Sequence, residues 1–446
     1  MTTFKRLADQ LQADIAAGRL RPGDRLPPQR EFADERGIAM STGSRVYAEL
    51  VRRGLVVGEV GRGTFVRTAP PTAGAALGQH AAGRINLATN SPILDNQAAG
   101  LTRSAAEMTR RSTVIASAME HVDARGSAAA RRTIASFVSR GGWRADPDAL
   151  VFAGNGRQAL SATLAALVPP GQRLGVEALS YQAVTAIAAR LGIEVVPLPL
   201  DAEGLQVAGV TAAHRRKPLR AVYLQPTLHN PLGTTLSLPR RQALARTLRE
   251  LGVIGIEDHV YAFLLDDLSP LSSLAPEHVV MIDSLSKRVA PGLTLGWAVA
   301  PRHLAPEVAD AVRAGALAPS GLAMELGVRW IADGTVTRLV RSKRRDAAAR
   351  QKILRDACAG LTVRADPRAY HAWVELPGAW RSELFAAAAA ERGIAVAPAS
   401  AFAVAHGHSP NAVRVALASP TRSQLAASLS VLRELALSAP RPLDVQ

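Results

Sequence analysis

The hydrophobic positions at the start of the chain predict two short amphipathic helices. Four apolar residues recur at steps of three and four and so share one face of the first helix: Phe4, Leu7, Leu11 and Ile15. This helix is predicted to end at Gly18. The second covers residues 29–36 and ends at Gly37, where a residue without a Cβ atom closes a helix most easily.

A third helix and a β-hairpin follow. Ser41 or Thr42 can cap the third helix, and Gly54 is predicted to end it. A hairpin pattern follows in LVVGEVGRGTFV, where a glycine-rich loop joins two short runs of β-branched residues. Three helices and a hairpin in this order form a winged helix-turn-helix.

A winged helix binds DNA by placing its third helix in the major groove, where short polar side chains and arginines reach base edges and phosphates. Residues of this kind cluster at the start of the third helix: Ser41, Thr42, Ser44 and Arg45. Arg62 lies at the tip of the predicted wing. The alternative is a protein-binding winged helix on which these side chains are simply solvated.

The chain from residue 85 has the pattern of an α/β domain. Six apolar, β-branched segments alternate with helical stretches: LVFAG, RLGVE, EVVPLPL, RAVYLQ, VIGIED and VVMIDS. This alternation predicts a mainly parallel sheet. The large lobe is expected over about 115–325. One long helix near 335–358 leads into a smaller α+β lobe, over about 326–446. Residues 69–84, rich in Ala, Gly and Pro, are predicted to link this domain to the winged helix, which covers 1–68.

Composition limits the classes of partner. The 446 residues include 53 Lys and Arg against 37 Asp and Glu, and the net charge of +16 favours polyanions such as nucleic acid. Cys358, the single cysteine, has no partner for an internal disulfide. No apolar run approaches the roughly 18 residues of a membrane helix. We expect a cytoplasmic protein with no membrane contact and no metal site.

Residues suited to an aldehyde cofactor stand at the ends of two predicted strands. Lys287 follows one strand and comes just after Ser284 and Ser286, so its amine can form a Schiff base and the hydroxyls can hold a phosphate. Asp258 ends the other strand, and a carboxylate there can keep the ring nitrogen of pyridoxal 5′-phosphate protonated. Tyr261 is then placed to hydrogen-bond the phenolic oxygen of the ring.

Other segments supply further contacts to such a cofactor. Asn230 can bind the same phenolic oxygen, and Tyr181 can stack on the ring. The backbone amides of a glycine-rich turn that opens a helix can cradle the phosphate: Asn155, Gly156 and Arg157. Arg414 lies in an alternating apolar strand, where a charge needs a carboxylate partner. A substrate or effector carboxylate meets that need; a structural salt bridge is the alternative.

The first domain resembles the GntR type of bacterial DNA-binding domain. The similarity rests on GRLRPGDRLPPQRE, RRGLV and GRGTFV and on the segment from Tyr47 to Leu50. The resemblance implies that five positions contact DNA: Arg30, Ser41, Ser44, Arg45 and Arg62.

Residues from about 85 to 440 resemble the fold-type I aminotransferases, which depend on pyridoxal 5′-phosphate. The glycine loop, stacking Tyr, Asn-Pro, Asp-x-x-Tyr, lysine and carboxylate-binding Arg occur in that family's order. A GntR winged helix joined to this domain is the arrangement of the MocR subfamily of transcriptional regulators. The resemblance implies a homodimer that binds double-stranded operator DNA and senses the cofactor, an amino acid or both.

Two positions depart from the family pattern. His121 stands where a tyrosine usually reaches the cofactor phosphate of the partner subunit, and Thr294 stands where an arginine usually binds that phosphate. Arg157 and Arg288 lie close in sequence to the predicted phosphate-binding segments, and either can supply the positive charge that the missing arginine usually provides. We favour Arg157, because the amino terminus of its helix already points to the phosphate.

Three functions fit these residues. We favour a transcriptional regulator that binds pyridoxal 5′-phosphate through Lys287 and senses an amino acid or a B6 vitamer. The first alternative is a working aminotransferase, complete or limited to a half-reaction, with an accessory DNA-binding domain. The second is a regulator whose large domain has lost the cofactor and serves as a dimerisation scaffold.

Overall fold

The structure is a computed structural model. It describes residues 3–20, 24–59, 63–66, 84–265, 268–405 and 409–440. Nearly all of the predicted linker and the wing residue Arg62 lie outside these ranges. Within the described ranges, no helix is both long and apolar enough to span a bilayer.

The N-terminal domain has the predicted helices and hairpin. Its helices are α1 (Thr3–Ala16), α2 (Gln29–Glu35) and α3 (Met40–Arg52), and its strands are β1 (Arg25–Leu26), β2 (Val56–Glu59) and β3 (Gly63–Val66). The strands form an antiparallel sheet in the order β1-β3-β2. Leu7 and Leu11 of the predicted apolar stripe are buried, and Phe4 and Ile15 pack against the same core.

The third helix begins earlier than the sequence predicts. Ala39, in an extended conformation, is its N-cap, and the amides of Thr42 and Gly43 donate to the Ala39 carbonyl. Ser41 and Thr42 therefore lie in the first turn, and the prediction that one of them caps the helix is wrong. The Ala39 carbonyl already accepts from the first free amides, and α3 packs closely on α2 there: a Cβ atom at Gly43 would lie 3.3 Å from that of Ala33.

The large lobe is built on a seven-stranded sheet. Its strands, with two short strands beside it, are β5 (Leu150–Ala153), β6 (Arg173–Glu177), β7 (Glu194–Leu198), β8 (Leu200–Asp201), β9 (Gly204–Leu205), β10 (Ala221–Leu224), β11 (Ile254–Asp258), β12 (Val279–Ser284) and β13 (Gly296–Val299). The helices that precede or cover the sheet are α4 (Gln97–Thr109), α5 (Ser112–Met119), α6 (Ala128–Val138), α7 (Gly156–Leu167), α8 (Gln182–Arg190), α9 (Val207–Arg216), α10 (Leu238–Leu251), α11 (Ala305–Ala314) and α12 (Gly321–Ala332).

The sheet order is β5-β13-β12-β11-β10-β6-β7. All six predicted strands are present, and they run parallel to one another. Strand β13, which was not predicted, is antiparallel to β12 and β5 and lies between them. The carboxyl ends of the six parallel strands consequently meet at one edge of the sheet.

The smaller lobe follows the long helix α13 (Thr335–Ala357), close to its predicted bounds. It contains α14 (Ser382–Glu391), α15 (Arg422–Leu437) and the strands β14 (Thr362–Arg364), β15 (His371–Glu375), β16 (Ile394–Ala395), β17 (Ala397–Pro398) and β18 (Ala412–Ala416). Strand β4 (Ile85–Asn86), just after the linker, pairs with β16. The residues after β4 therefore begin in the small lobe and cross to the large one.

One glycine of β13 sets the distance between the sheet and the start of α7. A Cβ atom at Gly296 would lie 2.2 Å from the carbonyl carbon of Asn155 and 2.7 Å from its Cα atom. Because these are backbone atoms, no side-chain rotation relieves the clash.

Gly296→Ala should therefore displace the start of α7 and destabilise the protein by about 1–3 kcal/mol, as overpacking typically does. The midpoint of thermal unfolding measures this loss. Gly292→Ala is the control, since a Cβ atom there has no neighbour within 4 Å. Equal midpoints for the two variants would contradict the packing argument.

Candidate cofactor site and DNA-binding surface

The carboxyl edge of the sheet gathers the predicted cofactor residues. Asp258 ends β11, Lys287 follows β12, and Asn155 caps α7 just beyond β5. Open α/β sheets bind ligands at this edge. The predicted cluster therefore forms, although its members are far apart in sequence.

Asp258 is held by three donors. Its Oδ2 accepts from the Tyr223 hydroxyl at 2.8 Å and from Gln225 Nε2 at 3.1 Å, and its Oδ1 accepts from the Val260 amide at 2.9 Å. Burial nevertheless raises the pKa of this carboxyl above its ordinary value. The protonated ring nitrogen of a bound pyridoxal 5′-phosphate would favour the ionised carboxylate and so oppose the effect of burial on this pKa.

Lys287 is the amine of the site. Its Nζ donates to the carbonyl of Asn90, which lies in the segment after β4. Burial, together with the charges of Arg414 and Arg157, lowers the pKa of Lys287 to about 8. At neutral pH the neutral amine, the form that attacks an aldehyde, is thus far more abundant than in an ordinary lysine.

Asn90 also links the lysine to Tyr261. Its Nδ2 donates to the Tyr261 hydroxyl at 3.2 Å, and the tyrosine ring packs against His371 at a centroid distance of 5.3 Å. Asn230 is nearly buried, and its Oδ1 has no hydrogen-bond partner among the described residues. A ligand bound beside Asn230 would supply a partner for this side chain.

The amino terminus of α7 and a group of hydroxyls form a cup. The Asn155 side chain accepts from the Gln158 amide at 2.9 Å, and a Cβ atom at Gly156 would lie 3.1 Å from Ser284 Oγ. Ser286 Oγ and Thr294 Oγ1 are 2.8 Å apart. Helix amides and hydroxyls are the donors that a phosphate needs.

Arg157 lies in the first turn of α7, where a cation is electrostatically unfavourable unless an anion is near. Its Nη2 donates to the Tyr181 hydroxyl at 2.9 Å, and its buried Nε has no partner among the described residues. Arg157 and Tyr181 thus form one unit beside the cup.

Arg414 enters the site from the small lobe. It lies on β18, is 6% exposed, and its Nη2 donates to the Ala88 carbonyl at 2.5 Å. Its Nε lacks a partner within the described part of the chain. No ion pair with a carboxylate is formed there by Arg414, by Arg157 or by Lys287, so the structural salt bridge considered for Arg414 is not found. The three cations suit a ligand that carries a phosphate and a carboxylate.

Comparison with known families matches both parts of the chain. Residues 3–66 match the gntR family of bacterial regulatory proteins, and residues 82–432 match aminotransferase class I and II. The HTH-type transcriptional regulator YdeF of Bacillus subtilis is 30% identical, over 97% of this chain and 94% of its own. The vitamin B6 salvage pathway transcriptional repressor PtsJ of Salmonella typhimurium is 25% identical, over 90% and 91% of the two chains.

An archaeal alanine:glyoxylate aminotransferase has the same fold, with a TM-score of 0.73 and 21% identity over 79% of this chain and 90% of that one. The chain belongs to the MocR subfamily of GntR-type transcriptional regulators. This MocR protein is therefore a DNA-binding transcriptional regulator with an aminotransferase-like domain, as its sequence motifs predict. The predicted fold class, a winged helix plus a fold-type I domain, is confirmed.

One predicted cofactor contact of the MocR protein is wrong. Arg288 is 2% exposed and forms an ion pair with Asp283. Its guanidinium lies 5.5 Å and 5.2 Å from the ring centroids of Phe137 and Phe263. The reason is local: Arg288 lies in the turn after β12, and its guanidinium is held in the core between Phe137 of α6 and Phe263, where Asp283 pairs with it.

Several site residues escaped the sequence analysis. Tyr223 and Gln225 orient Asp258, Asn90 joins Lys287 to Tyr261, and His371 supports the Tyr261 ring. Gln225 offered a signal, because it is the last residue of the predicted strand segment RAVYLQ. Asn90 offered none, since only the crossing between the lobes brings it to the site.

The winged helix of the MocR protein presents part of its predicted DNA surface. Arg30, Ser41 and Arg45 are exposed, and Thr42 is half-buried. Ser44 instead donates to Gln29 Oε1 at 2.9 Å and joins α3 to α2. These assignments to DNA stay predictions.

Proposed function

We propose that this regulator binds pyridoxal 5′-phosphate through Lys287 and changes its DNA binding when an amino acid or a B6 vitamer occupies the same pocket. One observation carries the proposal: Lys287, Arg157 and Arg414 converge without carboxylate partners among the described residues, in a site that also holds the half-buried Asp258. The three cations need anionic partners and Asp258 needs a cationic one, and this cofactor with an amino acid provides both.

Each residue has a defined part in holding the cofactor. Lys287 supplies the amine for the aldehyde, and Asp258 keeps the ring nitrogen protonated, which lets the bound cofactor act as an electron sink. Asn230 and Tyr261 are placed for the phenolic oxygen, and Tyr181 for the ring face. The phosphate belongs in the cup at the start of α7.

Arg414 is the candidate contact for an effector carboxylate. Because β18 belongs to the small lobe, an effector that bridges Arg414 and Lys287 favours one arrangement of the lobes, and differential binding of this kind shifts a conformational equilibrium. The name of the relative PtsJ refers to vitamin B6 salvage, which supports a B6-related effector. If Arg414→Gln keeps the wild-type response of DNA binding to a panel of amino acids, this part of the proposal fails.

The active form is proposed to be a homodimer. Helix α5 buries none of its residues, and Met119 at its end is 82% exposed. Ile115 of α5 and Leu322 of the neighbouring α12 are also exposed apolar residues. A surface of this kind favours an interface, and two winged helices can then bind paired half-sites. A monomer by light scattering at micromolar concentration that still binds DNA specifically would refute the dimer.

Two substitutions should separate the roles of the domains. Lys287→Ala should abolish the visible absorbance of covalently bound pyridoxal 5′-phosphate and leave DNA binding without effector intact. Arg45→Ala should weaken binding to a DNA fragment selected from random sequence by about 1–3 kcal/mol if it contacts a base, and leave the absorbance unchanged. Absorbance titration and a gel-shift assay measure the two effects.

The outcomes also distinguish the alternatives. Lys352→Ala, an exposed lysine of α13, is the control for absorbance. Absence of a lysine-dependent band in the wild type would favour the cofactor-free scaffold. Amino-group transfer to a 2-oxo acid at useful turnover would favour the aminotransferase. A changed spectrum with intact DNA binding in Arg45→Ala would contradict the division of roles.

Arg157 should supply the positive charge that balances the phosphate, which Thr294 cannot do. Arg157→Ala is expected to weaken binding of pyridoxal 5′-phosphate by roughly 10- to 150-fold, the equivalent of a charged hydrogen bond. Thr294→Arg should strengthen wild-type binding modestly and restore binding in Arg157→Ala. Absorbance titration gives the affinities.

The matched control is Arg190→Ala, on the exposed end of α8. Wild-type affinity in Arg157→Ala would show that the phosphate is held without Arg157 and would refute this replacement.

A further inference from the structure

A second buried amine lies directly behind the proposed cofactor lysine. Lys343 of α13 is 0% exposed, and its Nζ donates to the carbonyls of Lys287 at 2.9 Å and Val289 at 2.8 Å. Within the described ranges its amine forms no ion pair with a carboxylate. Burying an ammonium without such a partner is costly. A lysine at this position therefore needs a reason beyond packing.

The two acceptors belong to the turn that carries Lys287. After β12, the Val289 amide donates to the Leu285 carbonyl at 2.6 Å and closes a single helical turn. The last carbonyls of such a turn have no partner inside it, and a lysine is suited to cap them. Gln97 Nε2 adds a second donor to the Val289 carbonyl at 2.9 Å.

The protonation of Lys343 matches this role. Burial and the charge of Lys287 lower the pKa of Lys343 to about 7, against the opposing effect of Asp346. At neutral pH a large share of the amine is thus uncharged. A neutral amine has two N–H groups, and two carbonyls accept from it, so the deprotonated form still makes both bonds.

Lys343 is itself fixed by the small lobe. The Tyr370 hydroxyl donates to the Lys343 carbonyl at 2.8 Å, and α13 continues into the core of that lobe at Leu354. The amine thus joins the lysine-bearing turn of the large lobe to the helix that leads into the small one.

We propose that Lys343 is a positioning residue: it caps the turn over residues 285–289 and so fixes the backbone from which Lys287 reaches the cofactor. This inference rests on the proposed role of Lys287 as the cofactor-binding amine. It assigns Lys343 no contact with the cofactor.

The test compares Lys343→Met, which keeps the length of the side chain and removes its donors, with Lys343→Gln, which keeps an uncharged donor. Lys352→Met, on an exposed face of the same helix, is the control. With pyridoxal 5′-phosphate as the probe, Lys343→Met should bind about tenfold more weakly, the effect expected for lost hydrogen bonds, and show reduced visible circular dichroism. Lys343→Gln should recover part of both.

A second measurement uses the full chain without cofactor. Hydrogen exchange of the amides in 285–289 should accelerate in Lys343→Met and not in Lys352→Met. If Lys343→Met does not fold, Gln97→Met removes the other donor to Val289 and should show the same changes at smaller size. Wild-type affinity, dichroism and exchange in the folded variant would overturn the proposal.

The two proposals can fail separately. If the wild type shows no absorbance that depends on Lys287, the proposed function fails, and the exchange of residues 285–289 alone then decides whether Lys343 holds the turn. If the wild type shows that absorbance and neither donor variant changes it or the exchange, only the positioning role is refuted.

Discussion

An excess of positive charge in one partly buried pocket is the constraint on which the site depends. Lys287, Arg157 and Arg414 lie close enough for the two arginines to lower the pKa of the lysine, and Asp258 is the acid that opposes them. Like charges out of water repel strongly, so the arrangement is stable only with groups that relieve it. An anionic ligand is the simplest such group, and the deprotonation of Lys287 is the internal alternative.

The protein brings these charges together through its backbone. The carboxyl edge of the parallel sheet supplies Asp258 and Lys287, and the glycine at 296 allows the start of α7 to approach β13. Arg414 comes from a separate sheet, through β18. The segment after β4 passes between the lobes, where Ala88 accepts from Arg414 and Asn90 accepts from Lys287. The binding of any ligand that contacts both Lys287 and Arg414 therefore depends on how the two lobes are arranged.

The same geometry gives a physical basis for regulation. A regulator that responds to an effector needs two arrangements whose balance the ligand can shift, and the proposed pocket, lined by residues of both lobes, is suited to such a shift. In the proposed site, Thr294 in place of an expected arginine would leave Arg157 to supply positive charge to the phosphate, and Arg157 also donates to the Tyr181 hydroxyl. The proposed phosphate contact and the proposed stacking residue would thereby be joined through one side chain.

The sequence by itself determined the winged helix, the six parallel strands and the order of the cofactor residues, because hydrophobic periodicity and short motifs are local properties. Lys287, Asp258 and Arg414 could be found in this way, each at or beside a strand with a recognisable pattern. Only the tertiary structure decided which side chains meet. Arg288, the second candidate for the phosphate, instead pairs with Asp283, and Asn90 and Lys343 reach Lys287 from distant segments. The direction of a side chain and contacts between residues far apart along the chain depend on how strands, helices and lobes pack, and no local pattern encodes that packing.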